Sequence, residues 1–122
     1  MAISKRTVVL GASPNPARYA YAAVQQLQKA GYETIAVGQR KGKIGHVEIQ
    51  TQHLHFDDID TITLYIGPAK QPDLYEYIFS LQPERIIFNP GTENAELAKL
   101  AGDKGIQTIF GCTLVMLTLG TY

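Results

Sequence analysis

The sequence predicts a three-layer α/β/α fold, in which helices cover both faces of a doubly wound, mainly parallel sheet of about five strands. Its 122 residues suit one domain, assigned here to residues 1–122. Short apolar runs alternate with segments of helical periodicity along the chain. Strands that alternate with helices in this way are parallel and are joined by right-handed crossovers.

The first half of the chain contains two clear strands and one helix. Thr7–Leu10 and Thr34–Val37 are short β-branched runs, each ended by a glycine, and each indicates a buried strand. Between them, Arg18–Ala30 carries apolar residues at helical spacing. The following segment, 39–56, is less regular, and within it Val47–Ile49 is predicted as a short edge strand.

The second half continues the alternation. Proline favours the first turn of a helix, and a proline or glycine ends several of these segments. The expected elements are a strand at Thr61–Ile66, a helix from Pro72 to Leu81, a strand at Arg85–Phe88, a helix at Glu93–Ala101, a strand at Ile106–Phe110 and a short helix at Thr113–Leu119.

Composition excludes several classes of protein. Lys and Arg number 11, as do Asp and Glu, so the chain lacks the net positive charge of a nucleic-acid binder. A single cysteine, Cys112, excludes an internal disulfide and a multi-cysteine metal site. No apolar run is long enough to span a membrane, and Met1–Thr7 does not lead into a signal-peptide core. We therefore expect a cytoplasmic protein with no nucleic-acid or membrane partner.

The loop after the first strand is the strongest candidate for a ligand site. Doubly wound sheets bind ligands beyond the carboxyl ends of their strands. Gly11 permits a sharp turn, Ala12 and Ser13 are small, and the loop opens directly into a helix whose free N–H groups attract a phosphate. The Ser13 hydroxyl can donate to a phosphate oxygen, and Arg18 can add a charged contact. This loop is predicted to hold a diphosphate.

The second loop distinguishes between nucleotides. The first loop is not a dinucleotide fingerprint, because Ser13 and Pro16 stand where that motif needs glycine. An NAD site has an acidic residue at the end of the second strand, whereas this chain has Gln39, Arg40 and Lys41 there. A basic loop suits a phosphorylated ribose, so these residues favour coenzyme A (CoA) or NADP over NAD.

The run from Val8 to Pro16, followed by Gly31 and Tyr32 before the second strand, resembles the small stand-alone CoA-binding proteins. Their Rossmann-like domain is similar to the CoA-binding domain of succinyl-CoA synthetase α subunits. The resemblance implies that the first loop holds the diphosphate of CoA. It also implies that the turn 38–40 holds the adenosine and 3′-phosphate, and that the loop 67–68 flanks the adenine or pantetheine. Residues 89–91 match a glycine-containing loop of that family.

The candidate cofactor-binding residues come from these strand-end loops. They are Gly11, Ala12, Ser13, Pro14, Arg18, Tyr19, Gly38, Gln39, Arg40, Lys41, Gly67, Pro68, Asn89, Pro90 and Gly91.

Three functions are compatible with these residues. The first is a non-catalytic module that binds CoA or an acyl-CoA, as a possible homodimer or with a larger partner protein. The second is a small thiol-dependent or acyl-transfer enzyme using Cys112, since a helix N-terminus lowers the pKa of a thiol, although a free cysteine is more often packed in a core. The third is an NADP-binding domain. His53 and His55 fit a surface edge strand better than a metal site.

Overall fold

The first strand of the chain lies at the centre of the sheet. In the computed structural model, which describes residues 5–122, seven strands are arranged in the order β3-β4-β2-β1-β5-β6-β7. The residues Met1–Ser4, part of the segment considered above as a signal peptide, lie outside the described part. The strands are β1 (Thr7–Leu10), β2 (Thr34–Val37), β3 (Lys43–Ile44), β4 (Val47–Gln50), β5 (Thr61–Leu64), β6 (Arg85–Phe88) and β7 (Gln107–Phe110).

Helices follow most strands and cover both faces of the sheet, so the predicted α/β class is confirmed. The helices are α1 (Tyr19–Lys29), α2 (Tyr75–Ser80), α3 (Ala95–Asp103) and α4 (Thr113–Leu119). No helix within residues 5–122 has both the length and the apolar character needed to cross a bilayer.

The sheet is parallel except at one edge. β1 pairs in parallel with both β2 and β5, and Thr7 lies opposite Thr34 on one side and Thr61 on the other. The chain moves outward from β1 first towards β2 and then, after β4, towards β5. The reversal of strand order therefore lies between β1 and β5, which is where doubly wound folds form a crevice.

The irregular segment differs from its prediction. It supplies two strands, which accounts for a sheet larger than expected, and the strand predicted at Val47–Ile49 is not at the edge. β4 pairs in parallel with β2 on one side, while β3 covers its other side in antiparallel. A two-residue strand such as β3 is too short to give a periodic pattern in sequence. His53 and His55 lie beyond β4 in an irregular loop rather than in a strand.

The helix predicted from Pro72 also starts later. Two short 3-10 turns, Pro68–Lys70 and Pro72–Leu74, precede α2, which begins at Tyr75. Pro72 begins the second turn and has no N–H with which to continue the first turn into it as one helix.

Two apolar layers enclose the sheet. One layer includes Leu27 of α1 and packs together with residues of α4, and the other includes Ile78 of α2 and Leu97 of α3. All three of these side chains are fully buried. Both faces of the central strands are therefore covered, as parallel sheets require.

Replacing Leu27 with alanine is expected to lower the free energy of unfolding by about 2–5 kcal/mol, because the cavity left in the layer between α1 and the sheet cannot collapse fully. Urea denaturation followed by circular dichroism measures this change. The matched control is Leu100→Ala on α3, where the side chain is 37% exposed and the loss should be much smaller. Equal losses for the two variants would contradict this account of the core.

Candidate functional site

A cavity of about 910 Å³ opens at the carboxyl ends of the central strands. Its lining includes residues at the ends of β1, β2 and β5 and in the loop after β6, which places it at the reversal of strand order. Most of the predicted site residues line it: Gly11, Ala12, Ser13, Arg18, Tyr19, Gly38, Gln39, Arg40, Gly67, Pro90 and Gly91. Pro14, Lys41, Pro68 and Asn89 lie outside this lining.

The first loop is held against the end of β2. The N–H groups of Gly11 and Ala12 both donate to the carbonyl oxygen of Val37, at 2.9 Å each. Gly11 has a φ of +100°, and a Cβ at this position would lie 2.8 Å from the carbonyl oxygen of Tyr65. The loop can therefore follow this path only with glycine, and these two N–H groups are already engaged within the fold.

The remaining donors of the first loop belong to residues that line the cavity, namely Ser13, Tyr19 and Ala20. The Ser13 Oγ accepts a hydrogen bond of 3.1 Å from the N–H of Asn15, so its own O–H stays available to a ligand. α1 begins directly after Arg18, has no acidic residue in its first turn, and presents the N–H groups of Tyr19 and Ala20 at its positive end. These groups suit an anion.

The second loop packs closely on the first. A Cβ at Gly38 would lie only 2.1 Å from the carbonyl oxygen of Ala12, so only glycine permits this contact. A Cβ at Gly42 would lie 2.5 Å from the Cβ of Pro14. Pro14 thus supports the second loop from outside the cavity, while Arg40 lines the cavity itself.

The charge of the lining is mainly positive. Arg18, Arg40 and Lys70 line the cavity, with Asp73 as the single carboxylate. Lys70 was absent from the predicted set, although its position in the loop after a strand was a usable signal. A second cavity, of about 470 Å³, lies near the amino ends of β2 and β4 and includes Glu33 and Glu48 in its lining. An anionic ligand is better matched by the larger cavity.

A buried glutamine braces two of the loops. Gln71 is fully buried, and its Nε2 donates to the carbonyl oxygens of Ile66 and Thr92 at 2.8 Å each. These two carbonyls belong to the loops that carry Gly67 and Gly91. A Cβ at either glycine would meet no atom within 4 Å, so both face open space. Nothing in the sequence pattern around Gln71 indicated this positioning role.

Asn89, one of the predicted binding residues, is buried inside the fold and does not line the cavity. It is 1% exposed, and its Nδ2 donates to the Thr63 Oγ and to the carbonyl oxygen of Leu64, at 2.7 and 2.8 Å. Its Oδ1 accepts a hydrogen bond of 2.9 Å from the N–H of Thr113. The side chain joins β5, β6 and the start of α4, and both of its N–H groups are engaged within the fold.

His53 and His55 have different neighbours. His53 lines the cavity, where its ring stacks on Tyr77 with centroids 4.6 Å apart. His55 pairs with Asp57 at 2.8 Å on the exposed surface. Within residues 5–122, no cluster of three His, Cys, Asp or Glu side chains is arranged to hold a metal ion.

Cys112 lies just before α4, half-buried and outside the cavity lining. Its neighbour Tyr65 does line the cavity. Burial, followed by the charge of the Cys112 thiolate, raises the pKa of Tyr65 to about 12. The nearby hydroxyls of Thr63 and Thr113 bond to one another at 2.7 Å. Among the described residues, no atom forms a hydrogen bond of good geometry with the Tyr65 hydroxyl.

The sequence model of a family described as "CoA binding domain" matches residues 5–118. The chain belongs to this family. The resemblance noted from the first loop is thereby confirmed. A comparison with curated proteins finds no match.

Solved structures of similar chains share the fold. One, described as an uncharacterized protein, is 47% identical, with a TM-score of 0.95 over 98% of this chain and 99% of the other. A Thermus thermophilus protein is 20% identical, with a TM-score of 0.84 over 98% and 91%. A hypothetical protein from Pyrococcus horikoshii is 23% identical, with a TM-score of 0.82 over 92% and 80%. The last two structures share the doubly wound fold of this chain.

Replacing Tyr65 with phenylalanine tests its environment. Since the folded pKa is raised, the unfolded chain ionises first, and the free energy of unfolding should fall between pH 10 and about 12. Tyr65→Phe is expected to make this fall shallower by up to about 1 kcal/mol per pH unit. At pH 7 it should cost little, because the hydroxyl it removes has no good partner. Urea denaturation at each pH provides the measurement, and an unchanged alkaline slope would contradict the assignment.

Proposed function

We propose that the protein binds coenzyme A or an acyl-CoA as a non-catalytic module, with the diphosphate held at the loop between β1 and α1. The observation that carries the proposal is the charge of the large cavity, where three cationic side chains stand against one carboxylate. CoA presents a diphosphate and a 3′-phosphate to its binding site. Membership of the CoA-binding domain family favours this ligand among phosphorylated nucleotides.

The diphosphate suits the groups at the start of α1. Charge-assisted hydrogen bonds are the strongest contacts to phosphate, and Arg18 offers a guanidinium beside the helix N-terminus. The Ser13 hydroxyl and the N–H groups of Tyr19 and Ala20 add neutral donors. Because Gly11 and Ala12 use their N–H groups within the fold, we assign the diphosphate to the helix side of the loop.

The 3′-phosphate suits the loop after β2. Arg40 lines the cavity there, and the chain has no acidic residue between Gly38 and Lys43 that would repel a phosphate. The uncharged parts of CoA suit the rest of the lining, which includes the apolar side chains of Ile66 and Leu74. Tyr19, 76% exposed at the mouth, offers a ring for stacking on a base.

NADP is the second candidate, because Arg40 would suit its 2′-phosphate equally well. We propose no reaction for Cys112, since it lies outside the cavity lining. Thermal unfolding of the protein with CoA, acetyl-CoA, NADP and NAD separates the candidates. At about 100 times the dissociation constant, the true ligand should add about 2.7 kcal/mol of stability. Equal stabilisation by NAD and CoA would overturn the proposal.

A large side chain at Gly67, which lines the cavity, should weaken CoA binding. Gly67 has a φ of −61° and a ψ of 151°, a conformation open to any residue, and its Cβ position faces open space. Gly67→Leu is therefore expected to fold normally and to weaken CoA binding roughly tenfold or more, measured by isothermal titration calorimetry.

The control for this variant is Gly102→Leu on α3, which also projects into open space but lies outside the cavity. It should bind CoA as the parent protein does. Wild-type affinity in Gly67→Leu would mean that CoA occupies another part of the molecule.

Arg40→Ala should weaken CoA more than dephospho-CoA, because only CoA carries the 3′-phosphate. The loss of one charge-assisted contact predicts about 1.5–3 kcal/mol, or roughly 10- to 100-fold in affinity. The neighbouring cation Lys41 lies outside the lining, so Lys41→Ala controls for the overall charge of the loop. An equal loss for CoA and dephospho-CoA would refute the assignment of the 3′-phosphate.

A further inference from the structure

His53 differs from the other histidines of the chain because it lines the large cavity. The chain has 3 histidines. His46 lines the smaller cavity, and His55 pairs with Asp57 on the exposed surface. Histidine is the side chain whose charge ordinarily changes between pH 5 and pH 8. Within residues 5–122, His53 is therefore the one member of the large cavity's lining that can change its charge near neutral pH.

Two hydrogen bonds hold the main chain on either side of His53. β4 runs parallel to β2, and its last residue, Gln50, accepts a hydrogen bond of 3.0 Å from the N–H of Gly38 at its carbonyl oxygen. Beyond His53, the carbonyl oxygen of Leu54 accepts a hydrogen bond of 2.7 Å from the Tyr77 hydroxyl. The loop is thus tied to the end of β2 before His53 and to α2 after it.

Tyr77 also supports the imidazole. Its ring lies at an angle of 13° to that of His53, with centroids 4.6 Å apart. Tyr77 is 8% exposed and packs in the apolar layer that contains Ile78, so its ring is a fixed support. Burial raises the pKa of Tyr77, which keeps this phenol neutral throughout the range in which histidine titrates. The imidazole is therefore held at the cavity wall by a neutral neighbour.

The charges that share the cavity with His53 come from other loops. Arg18 lies at the start of α1, Arg40 in the loop after β2 and Lys70 in the loop after β5, while Asp73 is the single carboxylate. These side chains give the cavity a positive charge. A bound diphosphate brings negative charge into the same cavity, and a nearby negative charge favours the protonated form of an imidazole.

We propose that His53 is a binding residue of this cavity and takes up a proton from the solvent when a phosphorylated nucleotide binds. The inference rests on the proposed function and adds to it that affinity for the diphosphate of CoA increases as the pH falls from 8 to 6. Proton binding and nucleotide binding are linked, so each strengthens the other by the same factor.

Dephospho-CoA is the ligand that isolates this effect. The 3′-phosphate of CoA is a monoester, which itself gains a proton at about pH 6 and would add its own pH dependence. Dephospho-CoA keeps the diphosphate and lacks the monoester, so its charge stays constant between pH 6 and pH 8. Isothermal titration calorimetry of the whole protein should show roughly three- to tenfold tighter binding of dephospho-CoA at pH 6 than at pH 8.

Variants at two positions test whether His53 is responsible. His53→Gln cannot take up a proton and should bind dephospho-CoA with the same affinity at both pH values. His53→Lys is charged at both, so it should bind at pH 8 as tightly as at pH 6, and more tightly at pH 8 than the parent does. His55→Gln is the matched control and should keep the pH dependence of the parent. Both histidines are exposed, so all three variants should retain the circular dichroism spectrum of the parent.

Proton uptake gives a second measurement. Calorimetry at pH 7 in two buffers of different ionisation enthalpy counts the protons bound with dephospho-CoA. The parent and His55→Gln should take up a fraction of a proton, and His53→Gln should take up none.

Equal affinity of the parent for dephospho-CoA at pH 6 and pH 8 would disprove the role of His53. So would a pH dependence that survives unchanged in His53→Gln. A protein that binds neither CoA nor dephospho-CoA at either pH would refute the proposed function itself, and this inference with it.

Discussion

The close contact between the ends of β1 and β2 is the constraint on which the carboxyl edge of the sheet depends. One carbonyl oxygen, that of Val37, accepts both N–H groups at the start of the first loop. Gly38 then lies so close to Ala12 that no side chain fits between them. This contact fixes where α1 begins, and it places Arg18 and Arg40, which follow in the two loops, around one cavity. The positive charge of that cavity is a consequence of main-chain packing.

The other side of the cavity depends on buried amide side chains. Gln71 ties the loop after β5 to the loop after β6, and Asn89 ties β5 and β6 to the start of α4. Buried amides of this kind must be fully hydrogen-bonded, so they impose a single arrangement on the loops that they join. Asn89 thereby also holds the start of α4 against the sheet.

Charge is thus distributed according to position in the sheet. Cations gather at the carboxyl ends of the central strands and beside β3, while the segment from Gly105 onward has none. Because the chain has equal numbers of acidic and basic residues, its net charge does not indicate the charge of a ligand, whereas the positions of the charges do. Their distribution marks the cavity at the carboxyl ends of the central strands as a surface suited to phosphate.

The sequence by itself determined the fold class, the parallel central strands and the first loop, because alternating β-branched runs and helical periodicity depend on local chemistry and burial. β1, β2, β6 and α4 have the predicted bounds. Only the tertiary structure decided the position of β4 inside the sheet, the inward place of Asn89, and the meeting of Lys70 and His53 at one cavity. These features arise from contacts between segments far apart in the chain. No local pattern records which neighbour a strand will find, or whether a polar side chain in a loop will turn towards a ligand or towards another strand.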